Sequence, residues 1–423
     1  MKNRIKQYLL AASMCVGLTA CSDFFEPIPG VQFGLDETFA SKQRTEEYLN
    51  NVYSYVREVT DAIHPNTYGG IFTEASLDGA NRWNKTYAEW TNGSFNSASA
   101  QASEYFSKYY QAIAKASTFI QNVDKCTEAA ASTRGKWKSE ARALRAYYYF
   151  ELLRLYGPIP LIGEDPIPLD ASLEELIKER NSVDECVNFI ATELQSAIDS
   201  GDLLQRAGKA NLGRMDVATC MALKAKLYLY WASPLFNGNT DQASVKNKDG
   251  KQLFPQTEDN SKWTQARDAY ERFMTFATGQ GYKLTEVYTN GKLDPYASCR
   301  AAGEFFTTTW EAVDELIFVK LRDLYDYTYW VCPKFTDFQD TDVTGGGGYY
   351  TTQETVDLFF TKDGLTIEED PGYDKFEGIP GANNFTSGRY YDPNNPSRLY
   401  FDADKSKVLK QWKDREPRFY VNI

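Results

Sequence analysis

The chain has 423 residues, with 58 acidic and 46 basic side chains, a formal net charge of −12 and a single histidine. A surface of that sign repels phosphate backbones and argues against nucleic acid as a partner. One histidine excludes a two-histidine metal site. A Ser-His-Asp or Cys-His arrangement would have to use His64, which sits beside Pro65 in a loop-like stretch and reads as a surface residue.

Lys2, Arg4 and Lys6 open the chain, and no acid precedes Asp23. The apolar run from Tyr8 to Leu18 is too short to span a bilayer, which takes about 20 residues. It leads into Leu18-Thr19-Ala20-Cys21, which fits the bacterial lipobox. Residues 1–20 are therefore read as a lipoprotein signal and Cys21 as the lipid attachment, with a plain secreted protein as the alternative. Several acyl chains on one residue anchor durably where a single one does not. Residues 21–37, with Pro27, Pro29, Gly30 and Gly34, read as a tether. Asp23 and Glu26 just after the cysteine point to export to the outer face.

Residues 38–280 carry helical periodicity. Leu49, Val52, Val56 and Val59 form one apolar stripe. Phe106, Tyr110, Ile113, Ser117 and Ile120 form a second, interrupted by a polar residue. Trp137, Ala141, Leu144, Tyr148, Leu152 and Leu155 form the strongest, and Gly157-Pro158 ends it. Val187, Ile190, Leu194 and Ile198 make a fourth, and a fifth runs from Val217 through Met221, Lys224 and Leu227 to Trp231. Trp263, Ala266, Tyr270 and Phe273 make a sixth. Aromatic and small residues alternating along paired helices suit tetratricopeptide-type packing, although the spacing is too irregular for a clean repeat array. The long loops Asp61–Gln101 and Asn237–Asn260 are expected to be functional or mobile. Tyr147–Tyr149 are expected to pack helices, and Arg142, Arg145 and Glu151 to form ion pairs or partner contacts, weak ones if exposed.

Residues 281–423 change texture: short apolar pieces, Gly345–Gly348 and an acidic stretch from Asp363 to Glu377 predict irregular structure with a few helices and short strands. The fold class is mainly α, a tetratricopeptide-like scaffold with a loop-rich C-terminal part. Cys126, Cys186, Cys220, Cys299 and Cys332 show neither zinc spacing nor a disulfide framework. The glycine run lacks the Gly-Lys-Ser/Thr ending of a phosphate loop. Asp340 and Asp342 resemble the start of a calcium loop, but Thr351 stands where a bidentate Glu belongs. No cofactor is expected, and an irregular structural calcium site is the weaker alternative.

SEARALRAYYYFELLRLYGPIPLI (Ser139 to Ile162) resembles the hallmark segment of the SusD/RagB family of nutrient-binding lipoproteins of Bacteroidetes. In the same order, Thr38 to Val56, Tyr109 to Asp124 (with Ser117 where the family usually has Asn), Ala222 to Gly238, Asp314 to Leu321 (DELIFVKL), Thr351 to Ile367 and Asp414 to Ile423 (DREPRFYVNI) resemble its other landmarks. Family members usually continue past DREPRFYVNI, so the C-terminal region is read as incomplete. The resemblance implies an outward-facing, lipid-anchored protein of the outer membrane. It would sit as a lid on a SusC-like, TonB-dependent β-barrel and hold an oligosaccharide for import without catalysis, its helices facing the barrel.

Sugar capture needs flat apolar faces and fixed polar groups. Asp78, Asn81, Arg82, Trp83, Tyr87 and Trp90 in the first long loop offer both; the competing reading is an aromatic staple that pins the loop. Tyr325, Tyr327, Tyr329 and Trp330 form a second candidate set, against core packing. Alternative functions are capture of peptides by a RagB-type receptor, a surface glycoside hydrolase for which no carboxylate pair is singled out, and a helical adaptor.

Overall fold

A computed structural model describes residues 34–56, 76, 79–81, 93–163, 167, 171–304, 314–320, 349–376, 385–387 and 407–422. The chain begins with α1 (Leu35–Ala40) and α2 (Lys42–Ser54), followed by α3 (Ala100–Asn122), a 3-10 turn and α4 (Ala131–Tyr156). Next come the single turn α5 (Leu173–Leu176), α6 (Val183–Asp199), α7 (Val217–Ala232) and α8 (Ser261–Gly279). The long helices stack in chain order: α3 on α4, α4 on α6, α6 on α7 and α7 on α8, with α2 closing onto α3 and α4. Only the α3–α4 connection is short; longer segments separate the other long helices, yet each packs on the next, as the tetratricopeptide-like reading requires.

Local chemistry sets the helix ends. Ser172 with Glu175 and Ser182 with Glu185 form capping boxes at α5 and α6. Asp216 caps α7 through the Thr219 N–H at 2.7 Å. α4 stops at Gly157, whose backbone (φ 68°, ψ −136°) only glycine adopts without strain.

α4 is the centre of the core, and it buries charge. Arg145, fully buried, donates through Nε to Glu193 of α6 at 2.8 Å and through Nη1 to Ser117 of α3 at 3.1 Å. Ser117, the polar break in the second stripe, is thus a hydrogen-bond partner inside the core. Half-buried Arg142 adds a bond to Glu193 at 3.0 Å, and Glu151 pairs with Arg154 at 2.8 Å, nearly out of reach of water. Arg142, Arg145 and Glu151 thus form ion pairs, one of the two roles expected for them, and do so largely inside the core. Tyr147–Tyr149 pack inside as expected, and Cys126, Cys186 and Cys220 are free and buried.

One expectation fails and a second is narrowed to its functional alternative. Trp263 is 42% exposed; its neighbour Lys262 goes inside instead, 4.4 Å from the Trp231 ring centroid and 3.0 Å from Asp184. The segment from Asn237 to Asn260 is built into the fold. Its Leu253 carbonyl accepts the Val183 N–H at 2.9 Å, Phe254 stacks on Phe236, and Asn237 bonds both ways with Asp259.

Beyond α8 the elements shorten. β2 (Tyr288–Thr289) and β3 (Lys292–Leu293) form a hairpin across Asn290-Gly291, both with positive φ, as a type I′ turn demands. α9 (Pro295–Glu304) packs on α11 (Pro417–Asn422). β1 (Ala80–Asn81) pairs with β4 (Tyr349–Tyr350), and β5 (Phe385–Ser387) with β6 (Lys407–Leu409). Near the C-terminus, buried Arg415 donates to the carbonyls of Val356, Phe359, Phe360 and Gln411 and to the Tyr373 hydroxyl. DREPRFYVNI is in this sense a folding clamp. α10 (Gln353–Asp357) supplies one of those carbonyls. No helix among the described residues is long and apolar enough to cross a membrane.

Candidate functional site

Of the residues proposed for sugar capture, only Asn81 lies within the described backbone, on β1. Asp78, Arg82, Trp83, Tyr87, Trp90, Tyr325, Tyr327, Tyr329 and Trp330 lie outside the described residues, as do Cys21, His64, Cys332, Asp340, Asp342 and Gly345–Gly348. The described residues that flank these stretches nonetheless meet in two places. Asn81 pairs with Tyr349 on neighbouring strands. Lys320 donates through Nζ to the carbonyls of Ser54 (3.1 Å) and Val56 (2.6 Å) at the end of α2. Among the described residues, no cluster of His, Cys, Asp or Glu could hold a metal ion.

Beside that lysine contact lies a cavity of about 290 Å³, made by the end of α2, the turn before α7 and the strap 314–320. Each wall has a local cause. Ile317 accepts from Thr219 of α7 at 3.4 Å, and Phe318 lies edge-on to Tyr147 at 6.2 Å. Gly213 (φ 84°) lets the strap come close: a Cβ there would sit 2.8 Å from the Val319 carbonyl. Asp314 holds Arg206 at 2.9 Å, and Glu315 accepts from Thr285, so the strap is fixed at its start.

The inner wall is a hydrogen-bonded network of one cation, two carboxylates and a tyrosine. Tyr53 donates to buried Glu140 at 2.9 Å and accepts from the Met215 N–H at 2.8 Å. Arg214 reaches Glu140 at 3.2 Å and Glu46 at 3.1 Å and lies 5.2 Å from the centre of the Tyr53 ring. Burial raises the Glu140 carboxyl above its ordinary range, against the pull of Arg214 and Tyr53. Burial and then the Glu140 charge push Tyr53 well above its usual value, so its hydroxyl stays protonated.

A second cavity of about 420 Å³ lies between α3 and the segment leading to α5, with Phe106, Tyr110, Ile113, Ile162, Leu176 and Ile177 among its walls. Tyr110 donates to the Pro160 carbonyl at 2.6 Å, so its polar end is already used. This surface is apolar and offers sugar hydroxyls little.

The sequence reading passed over Asn50, Tyr53, Phe318 and Lys320. Phe318 and Lys320 lie in DELIFVKL, noted only as a landmark, and more than 250 positions separate them from the α2 residues they meet.

Comparison with known proteins places these features in context. Residues 32–229 match a family described as "Starch-binding associating with outer membrane", and residues 315–423 match one described as "SusD family". A SusD-like protein of Bacteroides ovatus is 27% identical over 175 residues, covering 40% of this chain and 30% of its own. The solved structure of BT4246 superposes with a TM-score of 0.71 at 24% identity, over 90% of this chain and 64% of its own. Surface glycan-binding protein A from Bacteroides uniformis superposes with a TM-score of 0.52 at 16% identity, over 76% of this chain and 62% of its own. The chain thus spans less than two thirds of the length of each of these relatives.

Proposed function

The chain belongs to the SusD/RagB family, and from that premise we propose that it is a non-catalytic, cell-surface glycan-binding lipoprotein that passes oligosaccharide to a SusC-like, TonB-dependent barrel. The observation that carries this reading is the ordered match of both family descriptions, one of them naming starch binding and the outer membrane, over most of the described fold. A solved relative of the same fold bears the name of a surface glycan-binding protein. The lipobox ending at Cys21 supplies the anchor, and the acidic surface suits a neutral ligand better than a polyanion.

Affinity electrophoresis of the full chain carrying Cys21→Ser against a polysaccharide panel tests the ligand. Retardation by at least one glycan, weakened by Trp83→Ala at unchanged melting temperature, is the expected result. Co-purification of the native lipoprotein with a large β-barrel tests the partner, and release of the Cys21→Ser chain from membranes tests the anchor. Loss of both glycan and barrel binding would refute the reading. Reducing-sugar release from a panel member, abolished by one Asp or Glu substitution, would replace it with a hydrolase.

A further inference from the structure

We infer that the cavity walled by α2, the turn at Gly213 and the strap is a subsite for one neutral pyranose ring, separate from the aromatic residues of the two loops. This rests on the glycan-binding reading and adds a place and a ligand class to it.

Size comes first. At about 290 Å³ the cavity falls just under the ~300–1,000 Å³ typical of sites for drug-sized ligands, so it suits one ring better than a chain.

Chemistry follows. A pyranose presents C–H faces and hydroxyls that both donate and accept, so it needs a flat apolar surface beside amide-like groups. The half-buried Phe318 and Tyr53 supply rings. The exposed Asn50, which lines the cavity, makes no side-chain hydrogen bond to any described residue. Nor do the peptide groups of Gly213, Phe318 and Val319, although each helps to line the cavity. Peptide groups of residues that line a concave, mostly apolar space and bond to no described residue are open to ligand hydroxyls.

Charge decides between a neutral sugar and a uronic acid. Arg214 and Lys320 face the cavity, but Arg214 is already held by Glu140 and Glu46, and Lys320 is spent on two carbonyls. Two cations and two carboxylates balance in formal charge, and both cations already have partners, so an anion would have to displace an existing bond.

Saturation-transfer NMR on the Cys21→Ser chain with a panel of neutral methyl glycosides and one methyl glucuronoside, followed by titration of the best polysaccharide, tests the subsite. Two variants separate it from the loops: Asn50→Ala removes one hydrogen-bonding group, and Ser54→Trp on the exposed face of α2 fills the mouth. The expected result is saturation of a neutral glycoside but not the glucuronoside. Asn50→Ala should weaken the polysaccharide about three- to tenfold, and Ser54→Trp should abolish the glycoside signal, with both melting temperatures unchanged. If the polysaccharide binds and Ser54→Trp leaves both signals intact, the subsite is wrong while the glycan reading stands. If the glucuronoside wins, the assignment to a neutral ring is wrong. If no carbohydrate of either size binds, both readings fall together.

Discussion

The helical half and the C-terminal half use arginine in opposite ways. In the helices, Arg145 is buried against a carboxylate, with Glu193 taking its Nε and Nη2 and Ser117 its Nη1. In the C-terminal part, equally hidden Arg415 has no carboxylate among its described partners; it gathers backbone carbonyls of two separate stretches, 356–360 and Gln411. Regular helices satisfy their own backbone, so a buried cation there needs a side-chain anion. Irregular chain leaves carbonyls over, and one guanidinium with five donors can collect them. The lesson is that the first half is held by packing of periodic faces and the second by polar capture of loops.

Removing each arginine tests that contrast most strongly. Arg145→Met should cost about 3–5 kcal/mol, because it strips Glu193 of its main partner inside the core. Adding Glu193→Met should recover much of it, and chemical denaturation checks both. If the single variant is harmless, packing alone holds the helices. Arg415→Met should cost about 2 kcal/mol, since the carbonyls it releases are uncharged and two of them belong to the partly exposed Phe359 and Phe360. Its signature should be local: faster amide exchange over 349–376 and 407–422, with the helical half unchanged. Equal loosening of both halves would erase the distinction.

Glycines sharpen it at smaller scale. Gly157 ends α4 at φ 68°, ψ −136°, and a Cβ there would lie 3.0 Å from the tip of the Phe254 ring. Gly157→Ala should therefore cost about 1–3 kcal/mol in strain. Gly364, at φ 78° in the turn after Thr361, faces open space. Gly364→Ala should cost only about 1 kcal/mol, the ordinary penalty of a left-handed alanine. Paired urea midpoints measure the difference.

Legibility follows the same divide. The stripes through Leu144 or Ile190 could be read because a helix core repeats locally. The reason for Ser117 could not, since Arg145 meets it from another helix. Lys262 displaced Trp263 from the interior for a similar reason: its partners Asp184 and Trp231 lie on α6 and α7. The segment from Asn237 to Asn260 looked loose because the groups that fix it, such as the Val183 N–H, are far away in sequence. In the C-terminal half, Asn290-Gly291 was a readable hairpin signal, but nothing local announces the Arg415 clamp. The candidate cavity was illegible because its walls come from three distant stretches. The loops chosen by chemistry lie outside the described residues, so Asn81 alone connects that choice to the fold.

The smallest expected effect, a pH dependence, separates the halves by its sign. Burial raises Glu140 and Asp216, both in the helical half, above their ordinary values of 4.5 and 3.8. A carboxyl with a raised folded pKa binds its proton more tightly folded than unfolded. Its contribution to stability is therefore present at low pH and is lost as pH climbs from about 4.5 through the raised value. Glu416, in the C-terminal half, goes the other way. Burial works against its charge, but Arg418, the Phe360 N–H and Arg415 outweigh it and hold it below 4.5. Its contribution is full above 4.5 and is lost as pH falls through the lowered value. Amide exchange from pH 4 to 7, corrected for intrinsic rates, should show α4 and α7 opening more readily toward neutrality. The segment around Phe360 should open more readily only at the acid end. Glu140→Gln should flatten the first trend in α4, leave that of α7 to Asp216, and leave the second untouched. If it flattens neither, the pH dependence of the helices comes from elsewhere, and Glu140 is only a hydrogen-bond acceptor for Tyr53 and Arg214.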